Sequence, residues 1–317
     1  MNTDTKNNLL RTLLFTPANH ERRVSKALSL DADAVILDLE DAVANSEKVS
    51  ARQDAIAAIK SGSRSKIYVR VNALDTQWTL GDLQAVVGAG LYGVVLPKVQ
   101  GPEDIETVDW LLATLERERG LSIGSIDLLP IIETAKGFTN LNKIFIEHRY
   151  RSSNEYQRVK RFTFGAGDFC NDVGMLWTSN ERELDVVRNA CIVTARAANL
   201  EAPIDTVWIH LKDHEGLEKS VVRSLNLGFQ GRLCIHPDQV SITNRVFTPT
   251  ADEVLRAQKI VDSFFEAEKK GLAAIQVDGM FVDYPILYRA QKTLAIHQAI
   301  SANSSQLYLA SAPLSAK

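Results

Sequence analysis

Short apolar runs recur along almost the whole chain, and each ends at a charged residue or a turn residue. Stretches with helical spacing of Leu, Ile, Val and Ala separate successive runs, so the pattern predicts strands and helices in alternation. This alternation predicts an α/β fold with a parallel sheet. Eight units within about 250 residues favour a closed (β/α)8 TIM barrel, which leaves no unpaired strand edge. The runs are TLLFTP, DAVILDLED, KIYVRVN, GVVLPK, IDLLPIIET, RFTFGAGD, APIDTVWIH and RLCIHP.

The pattern also predicts where the barrel begins and ends. Residues 1–10 are polar and are expected to be frayed, and the barrel is expected over residues 11–271. Its last helix is predicted in ADEVLRAQKIVDSFFEAEKKG, an amphipathic stretch that ends at a glycine. Residues 272–317 are predicted to form a short strand or hairpin and a helix, packed at the barrel mouth or on a neighbouring subunit. The basic segment at residues 147–161 is predicted to be solvated, at the amino-terminal face.

Composition limits the classes of function. The chain has 317 residues, 45% of them hydrophobic, and 36 basic residues nearly balance 39 acidic ones. This balance gives no electrostatic signature of nucleic-acid or membrane binding, so small-molecule substrates are expected. Neither a signal-peptide core nor an apolar run of about 20 residues occurs, and a cytoplasmic protein is expected. Cys170, Cys191 and Cys234 are expected to be reduced thiols packed in the core.

Two carboxylates end neighbouring predicted strands. Glu133 closes IDLLPIIET and Asp168 closes RFTFGAGD, so a barrel brings both to the rim where barrel enzymes carry their active sites. Two such carboxylates with room for water suit Mg2+, with Mn2+ as a second candidate. A structural explanation fits the spacing equally well: Asp168 caps a helix and Glu133 pairs with Lys136 or Lys98.

Arg70 ends the third predicted strand, and its rigid fork of donors suits a substrate carboxylate. The alternative is a structural salt bridge to the acidic DLED segment at residues 38–41. Three acids crowded into this segment predict contact with metal-bound water or with basic groups. We expect a supporting role, or a role in thioester binding, for the acids and their candidate partners, which are Asp38, Glu40, Asp41, Arg11, Lys48 and Arg52.

Glycines flank Ala166 immediately before Asp168, where they let the backbone approach a ligand closely and offer N–H groups to it. A GxG alone is weak evidence of a ligand site. The remainder of a dinucleotide fingerprint is missing and no P-loop occurs in the sequence, which disfavours hydride transfer and nucleotide hydrolysis.

Eight motifs occur in one order over roughly residues 10–300: RTLLFTPANH, ADAVILDLEDAVANSEKVSAR, VRVN, GVVLPKV, IIETAKG, FGAGDFCND, GFQGRLCIHPDQV and VDGMFVDYP. In this order they resemble the HpcH/HpaI aldolase and citrate lyase β-subunit family. The resemblance is to its CitE-like branch, which contains malyl-CoA, citramalyl-CoA and citryl thioester lyases. It is specific for the fold and the metal site and much less specific for the substrate.

The resemblance implies roles for individual residues. Glu133 and Asp168 bind Mg2+, Arg70 anchors the carboxylate of a 2-oxoacid, and the backbone of Ala166, Gly167 and Asp168 supports the substrate. Asp283, in DGMFVD, is the catalytic acid/base and is presented to the barrel of an adjacent subunit. A homo-oligomer, a trimer or a hexamer, is therefore expected.

The implied reaction is reversible cleavage of a 3-hydroxyacyl-CoA, citramalyl-CoA or malyl-CoA, into acetyl-CoA and pyruvate or glyoxylate. Three alternatives remain open: a citryl thioester lyase β-subunit that acts on an acyl-carrier protein, a phosphoenolpyruvate-type barrel, and a non-catalytic binding homologue. A phosphoenolpyruvate enzyme needs more basic residues than Lys98 and Arg70, and Asp283 argues against a merely binding protein.

Overall fold

Eight parallel strands close into a barrel in chain order. The computed structural model describes residues 9–147 and 157–310. The first strand pairs with both the second and the eighth, which closes the cylinder. All eight predicted strands and the predicted fold are therefore confirmed. The strands are β1 Thr12–Pro17, β2 Ala34–Asp38, β3 Lys66–Arg70, β4 Gly93–Leu96, β5 Asp127–Ile132, β6 Thr163–Phe164, β7 Ile204–Asp205 and β8 Gly231–Cys234.

Helices separate the strands along the chain. Alternate strand residues face the barrel interior or the layer beneath the helices, as the period of two in a strand requires. Leu13 of β1 belongs to the inner apolar cluster, and its neighbour Leu14 belongs to the outer one. The α-helices that accompany the barrel strands are α1 Glu21–Leu28, α2 Lys48–Ser61, α3 Thr79–Val86, α4 Pro102–Glu118, α5 Ala135–Thr139, α6 Ala166–Val173, α7 Asp185–Ala197, α8 His214–Leu227 and α9 Pro237–Phe247. A π-helix, Lys143–Glu147, and a 3-10 helix, Arg182–Leu184, lie between them.

The seam between β1 and β8 depends on a glycine. A Cβ atom added at Gly231 would lie only 1.9 Å from the carbonyl oxygen of Leu10, so any larger residue would push the two strands apart. Leu10 itself is fully buried in the barrel interior, although the sequence placed it in a frayed terminus. The remainder of the predicted frayed segment, residues 1–8, lies outside the described residues.

Two arginines of the basic segment at residues 147–161 are buried, which corrects the expectation of a solvated segment. Arg158 pairs with Asp109 and lies 2.8 Å from Glu116. Arg161 lies 2.8 Å from Asp127. The acid partners come from distant parts of the chain, so local sequence gives no sign of this burial. Residues 148–156 of the segment lie outside the described residues.

A second buried ionic cluster joins β7 and β8 to the neighbouring helices. Arg188 lies 3.0 Å from both Glu181 and Asp205, and Arg232 also pairs with both acids. All four side chains are at most 1% exposed. Two positive and two negative charges balance within the cluster, which is what the burial of ionised groups requires.

Residues 246–310 form a second compact unit, distinct from Leu10–Arg245. It contains α10 Ala251–Glu268, the antiparallel strands β9 Ile275–Val277 and β10 Met280–Val282, and α11 Tyr284–Ala310. Its core lies between α10, the hairpin and α11, and includes Phe264, Val282 and Leu287. The predicted hairpin and helix are confirmed.

The boundary of this unit differs from the one expected from the sequence. Helix α10 was expected to be the last barrel helix, but it packs on α11 and β9, and the helix that follows β8 is α9. Pro237 at the first position of α9 marks its start. The capping box of Thr250 and Glu253 marks the start of α10.

The three cysteines are buried and unbonded, as expected from their number and spacing. Among the described residues, no helix is both long enough and apolar enough to cross a membrane.

Candidate active site

A cavity of about 470 Å³ lies at the carboxyl ends of the barrel strands. Its size falls in the range of small-molecule sites, roughly 300–1,000 Å³. The polar side chains that line it include those of Asp38, Arg70, Glu133, Asp168, Arg23 and Thr206. The structure therefore brings together Arg70 and the two carboxylates that the sequence singled out.

Glu133 directly follows β5 and is 3% exposed. Its Oε1 accepts a hydrogen bond from the backbone N–H of Lys98 at 2.7 Å. Burial is the main cause that raises the pKa of Glu133 to about 8; Arg70 opposes this rise, and the carboxylates of Glu40 and Asp168 add to it. A divalent cation beside this carboxylate would favour its ionised form.

Asp168 lies in the first turn of α6, and its side chain is 40% exposed. With Glu133 it provides two hard oxygen donors at one cavity, a donor set that fits Mg2+. The described residues contain no cluster of three or more His, Cys, Asp or Glu side chains that could hold a metal ion. An Mg2+ ion held by two carboxylates would take its remaining oxygen ligands from water and substrate.

Arg70 ends β3 and forms the salt bridge that the sequence offered as its structural alternative. Its Nε and Nη2 donate to the two oxygens of Asp38, and Nη1 lies 2.9 Å from Glu40. The guanidinium also lies over the ring of Phe15, with Cζ 4.9 Å from the ring centroid. A guanidinium has five N–H donors, so the pair with Asp38 leaves donors for a substrate carboxylate.

Hydrogen bonds to Asp38 and from Lys48 fix the conformation of the DLED segment. Asp38 accepts hydrogen bonds from the backbone N–H groups of Glu40 and Ala42. The ammonium group of Lys48 donates to the carbonyl oxygens of Leu39 and Glu40, at 3.2 and 2.8 Å. These contacts place Asp38, Glu40 and Lys48 where the expected supporting role requires them, and that role remains a prediction.

Arg11 and Arg52 lie elsewhere, which corrects their expected contact with the DLED acids. Arg11 precedes β1 and pairs with Asp33 at the amino end of the strands, because a residue before a strand lies at the end opposite to the rim. Arg52 projects from α2 and pairs with Asp82 at 2.8 Å.

One of the backbone N–H groups around Ala166 already has a hydrogen-bond partner within the protein. The N–H of Ala166 donates to Oγ1 of Thr206 at 2.9 Å, so this group holds α6 against the segment after β7. Gly167 lines the cavity. Thr206 and Arg23 line it as well and were not singled out from the sequence. Thr206 lies in the middle of the apolar run APIDTVWIH, so the sequence gives no sign that the strand ends at Asp205 and that Thr206 follows it at the rim.

Asp283 belongs to the C-terminal unit, where it directly precedes α11. Its Oδ1 accepts a hydrogen bond from the backbone N–H of Ile286 at 3.4 Å, which caps the helix. Its role as acid/base remains a prediction.

Known proteins are similar in sequence to this chain over most of its length. The chain is 34% identical to citrate lyase subunit beta of Leuconostoc mesenteroides subsp. cremoris, over 92% of this chain and 94% of that protein. It is 33% identical to (3S)-malyl-CoA thioesterase of Cereibacter sphaeroides, over 92% of this chain and 96% of that protein. It is 29% identical to mitochondrial citramalyl-CoA lyase of Rattus norvegicus, over 92% of this chain and 86% of that protein.

Among solved structures, the CitE protein of Mycobacterium tuberculosis, in complex with magnesium, acetoacetate and coenzyme A, superposes with a TM-score of 0.71. The two chains are 26% identical, and the match covers 92% of this chain and 99% of that one. Residues 11–237 match the family described as HpcH/HpaI aldolase/citrate lyase. These findings confirm the predicted resemblance and the predicted carbon–carbon lyase class: the chain belongs to the HpcH/HpaI aldolase/citrate lyase family.

Proposed function

We propose that the protein cleaves a 3-hydroxyacyl-CoA reversibly into acetyl-CoA and a 2-oxoacid, with Mg2+ as its cofactor. Citramalyl-CoA, which gives pyruvate, is the first candidate substrate, and malyl-CoA, which gives glyoxylate, is the second. The observation that carries the proposal is that Arg70, Glu133 and Asp168 line one cavity at the catalytic end of the barrel.

Each of these side chains has a task in the reaction. Glu133 and Asp168 would hold Mg2+, which when bound supplies a Lewis acid that stabilises negative charge on a substrate oxygen. Arg70 would bind the carboxylate of the 2-oxoacid part through the N–H groups that Asp38 leaves available. Because Asp38 fixes the plane of the guanidinium, the substrate would be oriented before the carbon–carbon bond breaks.

In cleavage the 3-hydroxyl group loses its proton as its oxygen becomes the carbonyl oxygen of the 2-oxoacid, and the acetyl part leaves with the electron pair of the broken bond as a thioester enolate. The proton lost from oxygen balances the one that carbon gains. A proton must then be added to carbon, and Asp283 is our candidate donor; in the condensation direction the same carboxylate would remove that proton. Asp283 lies in the C-terminal unit and therefore need not act on the barrel of its own chain. We propose that it serves the barrel of an adjacent subunit in a homo-oligomer.

The test is to incubate the purified protein and Mg2+ with malyl-, citramalyl- and citryl-CoA and to measure release of the 2-oxoacid. We expect release from citramalyl-CoA or malyl-CoA that stops when EDTA removes the metal. Release that persists in EDTA would contradict the role of Mg2+. No release from any of the three thioesters would contradict the proposed reaction.

One rival function has specific support, since the relative with 34% identity is a citrate lyase subunit beta. Such a subunit would cleave a citryl group carried by a protein. Citryl-acyl-carrier protein should therefore be assayed beside the CoA thioesters. Faster turnover of the protein-bound citryl group would favour the rival.

A further inference from the structure

Lys98 has an unusual backbone conformation. It lies two residues after β4 and has a φ of +53°, in the left-handed region that glycine adopts most readily. Residues other than glycine stay in this region only where surrounding contacts hold them, and such positions cluster at functional sites. The position of Lys98 is therefore fixed by its contacts.

Those contacts join it to both carboxylates proposed to hold the metal. The backbone N–H of Lys98 donates to Oε1 of Glu133 at 2.7 Å. At the other end of the residue, Nζ lies 3.8 Å from Oδ2 of Asp168. Nζ also donates to Oε1 of Glu40 at 2.6 Å and lies 3.7 Å from Asp41. The ammonium group thus bridges the DLED segment and the start of α6, with about a third of the side chain exposed.

We propose that Lys98 is a positioning residue whose charge weakens the binding of Mg2+ alone and strengthens the binding of the anionic 2-oxoacid. A positive charge this close to Asp168 partly neutralises that carboxylate and repels a second cation. It also attracts the negative charge that the oxoacid brings to the site. The metal alone is therefore disfavoured, and the complex of metal and anion is favoured. The inference rests on the proposed function, because it concerns the same metal and the same 2-oxoacid.

The proposal predicts shifts of opposite sign for the two ligands. In Lys98→Met, calorimetry should show tighter Mg2+ binding, by about threefold or more, as for charge pairs that are partly exposed to solvent. In saturating Mg2+, pyruvate should bind about fivefold more weakly, which is the upper end for a charge pair that is partly exposed to solvent. If the substitution only disturbed the structure of the site, the binding of Mg2+ and the binding of pyruvate would both become weaker.

Three variants complete the test. Lys98→Arg keeps the charge and should restore both affinities towards those of wild type. Lys98→Gly removes the ammonium group and accepts the positive φ, so it should show the same two shifts even if the methionine variant folds poorly. Lys136→Met removes an exposed lysine charge three residues after Glu133 and should leave both affinities unchanged.

The inference would be supported if Lys98→Met or Lys98→Gly binds Mg2+ more tightly and pyruvate more weakly than wild type, and if Lys98→Arg has affinities close to those of wild type. Affinities that fall together, or that do not change, would overturn it while leaving the proposed function intact if the wild-type protein still releases a 2-oxoacid in the presence of Mg2+. A wild-type protein that binds neither Mg2+ nor pyruvate would reject the proposed function and the inference with it.

Discussion

Asp38 and Arg70 face each other at the same register on adjacent strands, and their side chains form a two-point hydrogen bond at 2.7 and 2.6 Å. Burial alone would lower the pKa of Arg70, but Asp38 and Glu40 raise it, so the guanidinium stays charged. The same carboxylate of Asp38 accepts hydrogen bonds from the backbone N–H groups of Glu40, within the DLED segment, and of Ala42, directly after it. One aspartate therefore sets both the shape of this segment and the plane of the guanidinium.

Replacing Arg70 by Lys keeps the charge and removes the planar fork. We expect pyruvate to bind more weakly by about 1.5–3 kcal/mol, the range for hydrogen bonds to charged groups, in calorimetry with saturating Mg2+. Arg52→Lys is the control, because Arg52 pairs with Asp82 on α3 and does not line the cavity. Unchanged pyruvate affinity in Arg70→Lys would remove Arg70 from the substrate site.

Glu133→Ala and Asp168→Ala should each abolish Mg2+ binding and Mg2+-dependent turnover. The two carboxylates are the protein ligands that we propose, and a site built on two ligands does not survive the loss of one. Calorimetric titration with Mg2+ measures the effect, and circular dichroism checks that the barrel still folds. Mg2+ binding that survives in both variants would refute the assignment.

The two glycines beside Ala166 should differ sharply when replaced. A Cβ atom at Gly165 would lie 2.5 Å from Oε2 of Glu133, whereas the nearest atom to a Cβ at Gly167 is 3.8 Å away, in Trp177. Gly165→Ala should therefore displace Glu133 and weaken Mg2+ binding by about tenfold or more, a typical loss when groups that orient a metal ligand are disturbed. Gly167→Ala should bind Mg2+ as wild type does. Equal effects of the two substitutions would show that the contact with Glu133 is not what matters.

Asp283→Asn separates proton transfer from ligand binding. We expect normal affinities for Mg2+ and pyruvate and a fall in turnover of about 100-fold or more, the usual contribution of a positioned acid/base. Full activity would remove Asp283 from the mechanism. If it acts on an adjacent barrel, co-expression of Asp283→Asn with Glu133→Ala should recover some activity. A verified mixed oligomer without recovered activity would reject this sharing.

Asp205 gives a prediction for stability and its pH dependence. Burial alone would raise the pKa of Asp205, but Arg188 and Arg232 outweigh that effect and lower it. An acid with a lowered pKa contributes its full stabilisation above its unfolded-state pKa of about 3.9 and loses it as the pH falls through the folded-state pKa. Asp205→Asn should therefore lower the free energy of unfolding by about 3–5 kcal/mol at pH 7, as for a broken buried ion pair. Below pH 4, the difference in the free energy of unfolding between Asp205→Asn and wild type should become smaller.

Urea unfolding at pH 7 and pH 3 measures this difference, and Asp75→Asn, at an exposed position, is the control that should stay within about 0.5 kcal/mol of wild type. A difference between Asp205→Asn and wild type that does not change with pH would contradict the assigned charge state.

Local sequence patterns predicted the eight strands because each strand is a short apolar run between turn residues. The same logic placed Arg70, Glu133 and Asp168 at the rim, since a residue that ends a parallel strand must lie at its carboxyl end. Arg11 was misplaced because it precedes its strand and so lies at the other end.

Contacts between distant segments could not be predicted. Arg158 and Arg161 look like solvated charges in a basic segment, and the structure buries them against acids from elsewhere in the chain. The position of the Lys98 Nζ between Glu40 and Asp168 could not be predicted either. It depends on a positive φ, which a lysine in the sequence does not indicate.

The seam at Gly231 also has a consequence for the order of events during folding. Strand β1 pairs with β8 through Thr12–Leu14 and Arg232–Cys234. The ribosome adds β8 only after the first seven strands have been made. Until then one side of β1 is an open strand edge, the kind of surface on which chains associate wrongly. Because pairing between sequence-distant segments is slow, closure of the cylinder should be a late step of folding. Nascent chains that stop short of β8 should therefore be the forms most prone to aggregate.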